Sequence, residues 1–363
     1  MERYYWASLR MLPNISNSRL KALIGYFGSA ARVWSANRQE LISAGLMTAE
    51  EGNNIVSRRE KIDVFRLREE WEKKRIGVLT LADPEYPSLL AKTYNPPAVL
   101  YYRGKFPVDS LLIAVVGARR ASSYGRNAAL GLAGALTQAG AGIVSGAARG
   151  IDTAAHEGAL ENKGYTVAVL GCGIDIVYPP ENAKLLERIA EQGAVVSEYA
   201  PGTPPLAKFF PARNRIISGL AKGVLVVEAA EKSGSLITAD FALEEGRDVF
   251  AVPGSIFSSN SKGTNRLLKT GAKLVDTVED ILEEYGIEKL AARNATQALE
   301  PEEVKVLEAL AYDKPLGIED IMQKVQLDAQ RITCLLLQLE LKGVIARNGG
   351  QRFARAAGRE LFE

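Results

Sequence analysis

Leu112-Ile113-Ala114-Val115-Val116-Gly117-Ala118-Arg119-Arg120-Ala121-Ser122-Ser123-Tyr124-Gly125 sets a short apolar run against a glycine turn and a serine-led helix start. The run has strand length and lacks the polar alternation of a strand with one wet face, so it predicts a strand covered on both sides. The same unit recurs. Runs at 142–146, 166–171, 194–199, 224–229 and 248–253 are rich in Val, Ile, Leu and Ala, and helical patterns separate them. This alternation predicts a doubly wound, Rossmann-like α/β fold with a parallel sheet. Right-handed crossovers then line the carboxyl ends of these strands along one edge, where ligands bind at the switch in strand order.

Outward from this unit the pattern changes. Ser18 to Phe27 places Leu20, Leu23, Ile24 and Phe27 on one helical face, and helices are predicted near 37–44 and 48–75. Asp83-Pro84-Glu85-Tyr86-Pro87 and Asn95-Pro96-Pro97 punctuate a boundary, and Val99 to Gly104 reads as a short strand. After a charged stretch from Asp276 to Asn294, a helix with Val304, Leu307 and Leu310 inward precedes helices near 316–325 and 328–342. Asn348-Gly349-Gly350 between two short strands is a hairpin signal, and the whole is a winged-helix pattern. The expected division is a helical, SAM-like domain at 1–80, an extended Rossmann-like domain at 81–288 and a winged-helix domain at 289–363.

The 363 residues carry 45 Lys and Arg against 43 Asp and Glu, so net charge selects no partner. Its distribution is more telling. Residues 1–100 hold 15 basic and 11 acidic side chains, whereas 276–363 hold 11 and 17, so a polyanion is expected on the earlier parts. Two cysteines, Cys172 and Cys334, exclude a disulfide framework and point to a reducing, cytoplasmic setting. The one histidine, His156, argues against a histidine-built zinc site and reads as a packed residue rather than a base. No signal-type or membrane-spanning apolar stretch is found, so no membrane is expected, and no metal or cofactor is expected either.

The polar residues gather at the predicted sheet edge. Gly117-Ala118-Arg119 with the Ser122 or Ser123 helix cap forms an anion seat, but Gly117 and Gly125 lack the GxGxxG spacing of a dinucleotide site. The second strand delivers Ser145-Gly146-Ala147-Ala148-Arg149-Gly150-Ile151-Asp152, with Ser145 and the Gly146 amide able to meet a phosphate and Asp152 expected as a helix N-cap. Lys208, Arg213, Asn214 and Arg215 crowd a helix start beside Phe209 and Phe210, one of which is expected in the core. Cations there oppose the helix dipole and call for an anion, and aromatic rings beside them make a single-strand platform. Ser233-Gly234-Ser235 opens one more helix with free amides and hydroxyls, and Lys262 and Arg266 add charge further along.

These segments resemble the DNA-processing protein A (DprA/Smf) family. The matching stretches are Asp83-Pro84-x-Tyr86-Pro87, Val116 to Arg119, Ser145 to Asp152, Phe210-Pro211-x-Arg213-Asn214-Arg215-Ile216-Ile217-Ser218-Gly219-Leu220, and Lys232 to Ala239, in family order across the chain. The resemblance implies a non-enzymatic protein of natural transformation that binds single-stranded DNA, protects it, loads the RecA recombinase and forms homodimers through the Rossmann domain. It carries DNA contact onto Gly117, Arg119, Lys208, Phe210, Arg213 and Asn214. Read together with the loop chemistry, the expected DNA-facing set also includes Ala118, Ser145, Gly146, Arg149, Arg215, Gly234 and Ser235. The family turn is usually Gly-Ser-Arg, so Ala118 removes one hydroxyl donor.

An enzyme of the phosphoribohydrolase type is the rival reading. It needs a Gly-Gly-x-Gly-Thr-x-x-Glu signature, where this chain has Ser233-Gly234-Ser235-Leu236-Ile237-Thr238-Ala239-Asp240. Binding of a free nucleotide without chemistry stays open. The winged-helix segment is acidic, and its second long helix sets Arg331 and Lys342 against Asp328 and Glu340. Residues 296–363 are therefore expected to bind duplex DNA poorly and to serve protein contacts; a gel shift showing tight duplex binding by this segment would overturn that expectation.

Overall fold

The computed structural model describes residues 1–106, 110–287, 300–312, 314–342, 344–348 and 352–355. Six helices come first: α1 (Glu2–Arg10), α2 (Asn17–Phe27), α3 (Ala30–Ser35), α4 (Arg38–Ser43), α5 (Ala49–Arg59) and α6 (Val64–Lys73). The long helix expected at 48–75 is two, because Asp63 caps a new start by accepting from the Phe65 and Arg66 amides. Leu20 and Leu23 are buried as expected, within an apolar cluster that runs from Trp6 and Leu9 through Trp71 to Tyr101 and Leu170 of the sheet.

Among the described residues the sheet contains nine strands: β1 (Gly77–Thr80), β2 (Val99–Gly104), β3 (Leu112–Val116), β4 (Gly142–Ser145), β5 (Thr166–Leu170), β6 (Ala194–Ser197), β7 (Gly223–Val226), β8 (Asp248–Ala251) and β9 (Lys273–Leu274). Their order is β1-β2-β6-β5-β4-β3-β7-β8-β9. From β6 to β9 all pairings are parallel, and β2 joins β6 antiparallel with β1 outside it. The order reverses between β3 and β7, which puts the switch point at their carboxyl ends. β3 is buried at every position, as its unbroken apolar run requires.

Helices α8 (Ser123–Gln138) and α9 (Ile151–Glu161) cover one face of the sheet, packing Leu132, Ala155 and Ala159 on Ile113 and Ile143. On the other face α11 (Phe209–Leu220) and α12 (Gly234–Glu244) pack Ile216, Ile217, Leu220 and Ala239 on Val116, Val144 and Val226. Each large aliphatic side chain buried in this way stabilises the fold by about 1.5–3 kcal/mol. Short α7 (Ser88–Ala91) leads into β2, α10 (Ala183–Gln192) precedes β6, and α13 (Lys262–Lys269) and α14 (Glu279–Leu282) flank β9. No helix among the described residues is long and apolar enough to cross a membrane.

At the carboxyl end, α15 (Pro301–Ala309), α16 (Ile318–Val325) and α17 (Ala329–Leu341) pack with the small sheet of β10 (Leu316–Gly317), β11 (Ile345–Asn348) and β12 (Arg352–Arg355). In α15 it is Val306, not the expected Val304, that turns inward with Leu310; Val304 is exposed. The expected turn at Gly349-Gly350 lies outside the described residues. Arg331 of α17 and Lys342 just after it are already engaged, by Glu302 and Glu303.

His156 is wholly buried on α9, with Nδ1 2.7 Å from the Thr166 hydroxyl of β5. Burial holds its pKa down at about 3, with the nearby charge of Arg213 acting in the same direction, so the folded chain keeps it neutral. An unfolded chain takes up this proton below about pH 6.5. Stability is therefore full above that pH and falls as pH drops, by up to about 1.4 kcal/mol per unit. Urea denaturation between about pH 7 and 5 is expected to show this slope in the native protein and a flatter one in His156→Gln; identical slopes would refute it.

Candidate nucleic-acid interface

A cleft of about 700 Å³ opens at the β3/β7 switch point. One wall is Gly117, Ala118 and Arg119 after β3; the opposite wall is Lys232, Ser233, Gly234 and Ser235 at the start of α12. Tyr178, Phe210, Arg213 and Asn214 close it between them. Of the expected set, Gly117, Ala118, Arg119, Phe210, Arg213, Asn214, Gly234 and Ser235 are thus brought together.

Arg213 is the structural centre of the cleft. It is 4% exposed, and its guanidinium donates to the Gly146 carbonyl (2.8 Å) and the Val169 carbonyl, binding the ends of β4 and β5 together. Burial lowers its pKa to about 10, and the nearby Asp152 carboxylate works against that fall. Gly146 is needed here because a β-carbon would run into the same guanidinium. Arg213 thus does not oppose the helix dipole while waiting for an anion; strand-end carbonyls and Asp152 satisfy it from within.

Two of the expected anion seats are also filled from within. Glu228, 2% exposed at the end of β7, accepts from the Ser122 amide (2.9 Å) and hydroxyl (2.5 Å), while Ser122 caps α8 by accepting from Gly125. Asp152 is not the N-cap of α9, a place taken by Gly150; it sits in the first turn and accepts from the Gly146 and Ala148 amides at 3.1 and 3.3 Å. Burial pushes its carboxyl up, and Arg213 and the amides pull against that shift. The start of α12 differs. Among the described residues no carboxylate takes its amides, and the Ser233 hydroxyl accepts only from Ser235. With no carboxylate on it and Gly234 exposed, this helix start, lining the cleft together with Arg119 and Lys232, is suited to a phosphate group.

Other expected residues are placed elsewhere. Ser145 is fully buried and donates to the Val115 carbonyl (2.6 Å), and the Gly146 amide is spent on Asp152, so neither faces the cleft. Arg149 is exposed and paired with Glu181. Arg215 reaches away from the cleft to Glu198 (2.5 Å) and to the Asn95 carbonyl (2.8 Å). Lys208 is exposed just outside, 5.4 Å above the Phe209 ring.

Neither phenylalanine is core; both are half-buried. Phe209 stacks on Tyr199 with centroids 4.2 Å apart. Phe210 lies 5.3 Å from the Tyr178 ring and 5.5 Å under the Arg119 guanidinium. Sequence reasoning does not single out Tyr178 or Tyr199. A Tyr preceding Pro179 gives no local sign of aromatic use, and only the fold brings it to Phe210. Cys172 is buried, and burial raises its thiol to about 11, which leaves it unreactive.

Residues 77–286 match the family model described as DNA recombination-mediator protein A, and 291–351 match that of the DprA winged helix domain. The chain is 32% identical to Protein Smf of Synechocystis over 98% of this chain and 99% of that one. It is 46% identical to the DNA processing protein DprA of Streptococcus pneumoniae over 62% of this chain and 79% of that one. The X-ray structure of the pneumococcal protein superposes with a TM-score of 0.68 at 38% identity, covering 80% of this chain and 99% of that one. A Helicobacter pylori structure, reported for its single-stranded DNA binding mode, superposes with a TM-score of 0.52 at 31% identity, covering 58% of this chain and 95% of that one. The chain belongs to the DNA recombination-mediator protein A family.

Proposed function

We propose that this protein binds single-stranded DNA without reading its sequence, in the cleft at the β3/β7 switch point. The observation that carries the reading is Phe210, half-buried between Arg119 and Tyr178, beside the carboxylate-free start of α12. Aromatic faces accept any base, and a cation beside a helix start accepts the phosphate next to it, so the pair suits a strand whose bases are unstacked. A duplex presents phosphates but hides its base faces. The binding reported for the Helicobacter relative supports the same ligand class.

Within this reading the bound residues are Gly117, Ala118, Arg119, Phe210, Asn214, Gly234 and Ser235, with Lys208 at the rim, and Arg213 holds the floor. The protein acts in the cytoplasm as a binding protein rather than an enzyme: the cleft's buried carboxylate, Asp152, is committed to amides of its own loop. In keeping with its family resemblance, it would dimerise and pass the strand to a RecA-type recombinase during transformation. A filament-assembly assay on protein-coated single strands tests that last step, with faster assembly expected.

Fluorescence anisotropy with labelled oligo-dT tests the site. Arg119→Ala is expected to weaken binding and to lower the salt slope by about 0.7 for each phosphate the protein no longer neutralises, with an unchanged melting temperature. Arg213→Ala is expected to lower stability by about 2 kcal/mol or more, because it leaves two buried carbonyls and Asp152 without their cation. Competition by mononucleotides as strong as that by the oligonucleotide would replace strand binding with free-nucleotide binding. Unchanged affinity and slope in Arg119→Ala would remove the cleft as the DNA site.

A further inference from the structure

We infer that the strand does not end at the cleft but continues across the loop after β8, where Phe257 serves as a second stacking station. This rests on the strand-binding reading above. Ile256 is 78% exposed and Phe257 94% exposed. An aromatic ring held almost entirely in water gains nothing in the free protein, and here it is not on a slack segment. The Tyr124 hydroxyl donates to the Pro253 carbonyl (2.8 Å), and Asn265 holds both the amide and the carbonyl of Gly254 (3.2 and 2.9 Å). The Phe257 amide donates to the Ser255 hydroxyl (3.3 Å), and Asn260 donates to the Arg120 carbonyl (3.1 Å).

These bonds also fix where the ring stands. Asn260 ties the loop to the turn that carries Arg119, and the Gly263 amide ties it to the Ala229 carbonyl (2.8 Å), just before the cleft wall at Ala230 and Lys232. The loop is thus the next one along the edge and touches both rims of the cleft. Its surroundings suit a polyanion. In the stretches 117–126, 229–235 and 253–266 the exposed cations are Arg119, Arg120, Arg126, Lys232, Lys262 and Arg266, against Glu231 as the exposed acid. A second protein copy is a poorer occupant. Stable interfaces centre on a broad apolar patch depleted of charge, whereas here two exposed apolar side chains sit on an edge rich in cations. A base, with an apolar face and a phosphate on either side, fits both features.

The test compares the full-length protein with Phe257→Ala and Phe257→Tyr on oligo-dT of about six and about 20 nucleotides, by anisotropy. Phe257→Ala is expected to bind the short strand as the native protein does and the long strand about fivefold or more weakly. Phe257→Tyr is expected to restore binding, and the salt slope stays unchanged because a ring neutralises no phosphate. Native affinity of Phe257→Ala for the long strand would overturn the inference and leave the cleft reading intact. Failure of the native protein to bind either strand would overturn both. Normal strand binding by Phe257→Ala with a lighter species in sedimentation would assign the ring to a second copy and overturn the inference.

Discussion

The guanidinium of Arg213 reaches from α11 under the sheet edge to the carbonyls that end β4 and β5, and the cleft is arranged around it. Strand ends in a parallel sheet leave carbonyls with no neighbour to bond, and a helix dipole alone cannot supply a donor there. One buried arginine supplies several in a fixed plane. Its presence demands a glycine at 146 and an anion close by, which Asp152 provides. Asp152 in turn holds the loop from Gly146 to Ala148, and α9 starts from that loop. Removing the arginine would undo the floor before it affected any ligand.

The same economy governs the rim. A doubly wound sheet points several helix starts at one edge, and each is an attractive place for a negative charge. In this protein two of them are neutralised by its own carboxylates, Glu228 at α8 and Asp152 at α9. Among the described residues no carboxylate meets the start of α12, which lines the cleft with Arg119 and Lys232. An edge that looks like a row of equal phosphate seats is therefore reduced to one principal seat with aromatic rings beside it. Under the proposed strand-binding reading, that asymmetry would give a strand one defined place to enter without reading its bases.

A second polar chain connects the helical bundle to α11. Asn17 of α2 donates to Glu198 (2.8 Å) and accepts from the Ala98 amide (3.2 Å), and Glu198 holds Arg215 of α11. Asn17 and Glu198 are both buried, so the loss of either would leave a buried polar group of the other without a partner. Arg215, which reads from sequence as a ligand for phosphate, is instead a tie between the first helices and the helix that carries Phe210.

The strands, their burial and the edge at which the polar loops gather were legible in the sequence, because an unbroken apolar run, a glycine turn and a serine cap act over a few residues. So were Gly117, Arg119, Phe210, Asn214 and Ser235 as neighbours, since each follows a strand or opens a helix at that edge. What the sequence could not show was which polar groups turn towards one another. Ser122 meets Glu228 across 106 positions, and Arg213 meets Gly146 across 67. A charged side chain at a helix start looks the same in sequence whether it awaits a ligand or is already bonded within the protein. Tertiary packing alone made that choice, by burying Arg213, Asp152 and Glu228, where an unpaired charge is too costly, and leaving Arg119 and Gly234 in water.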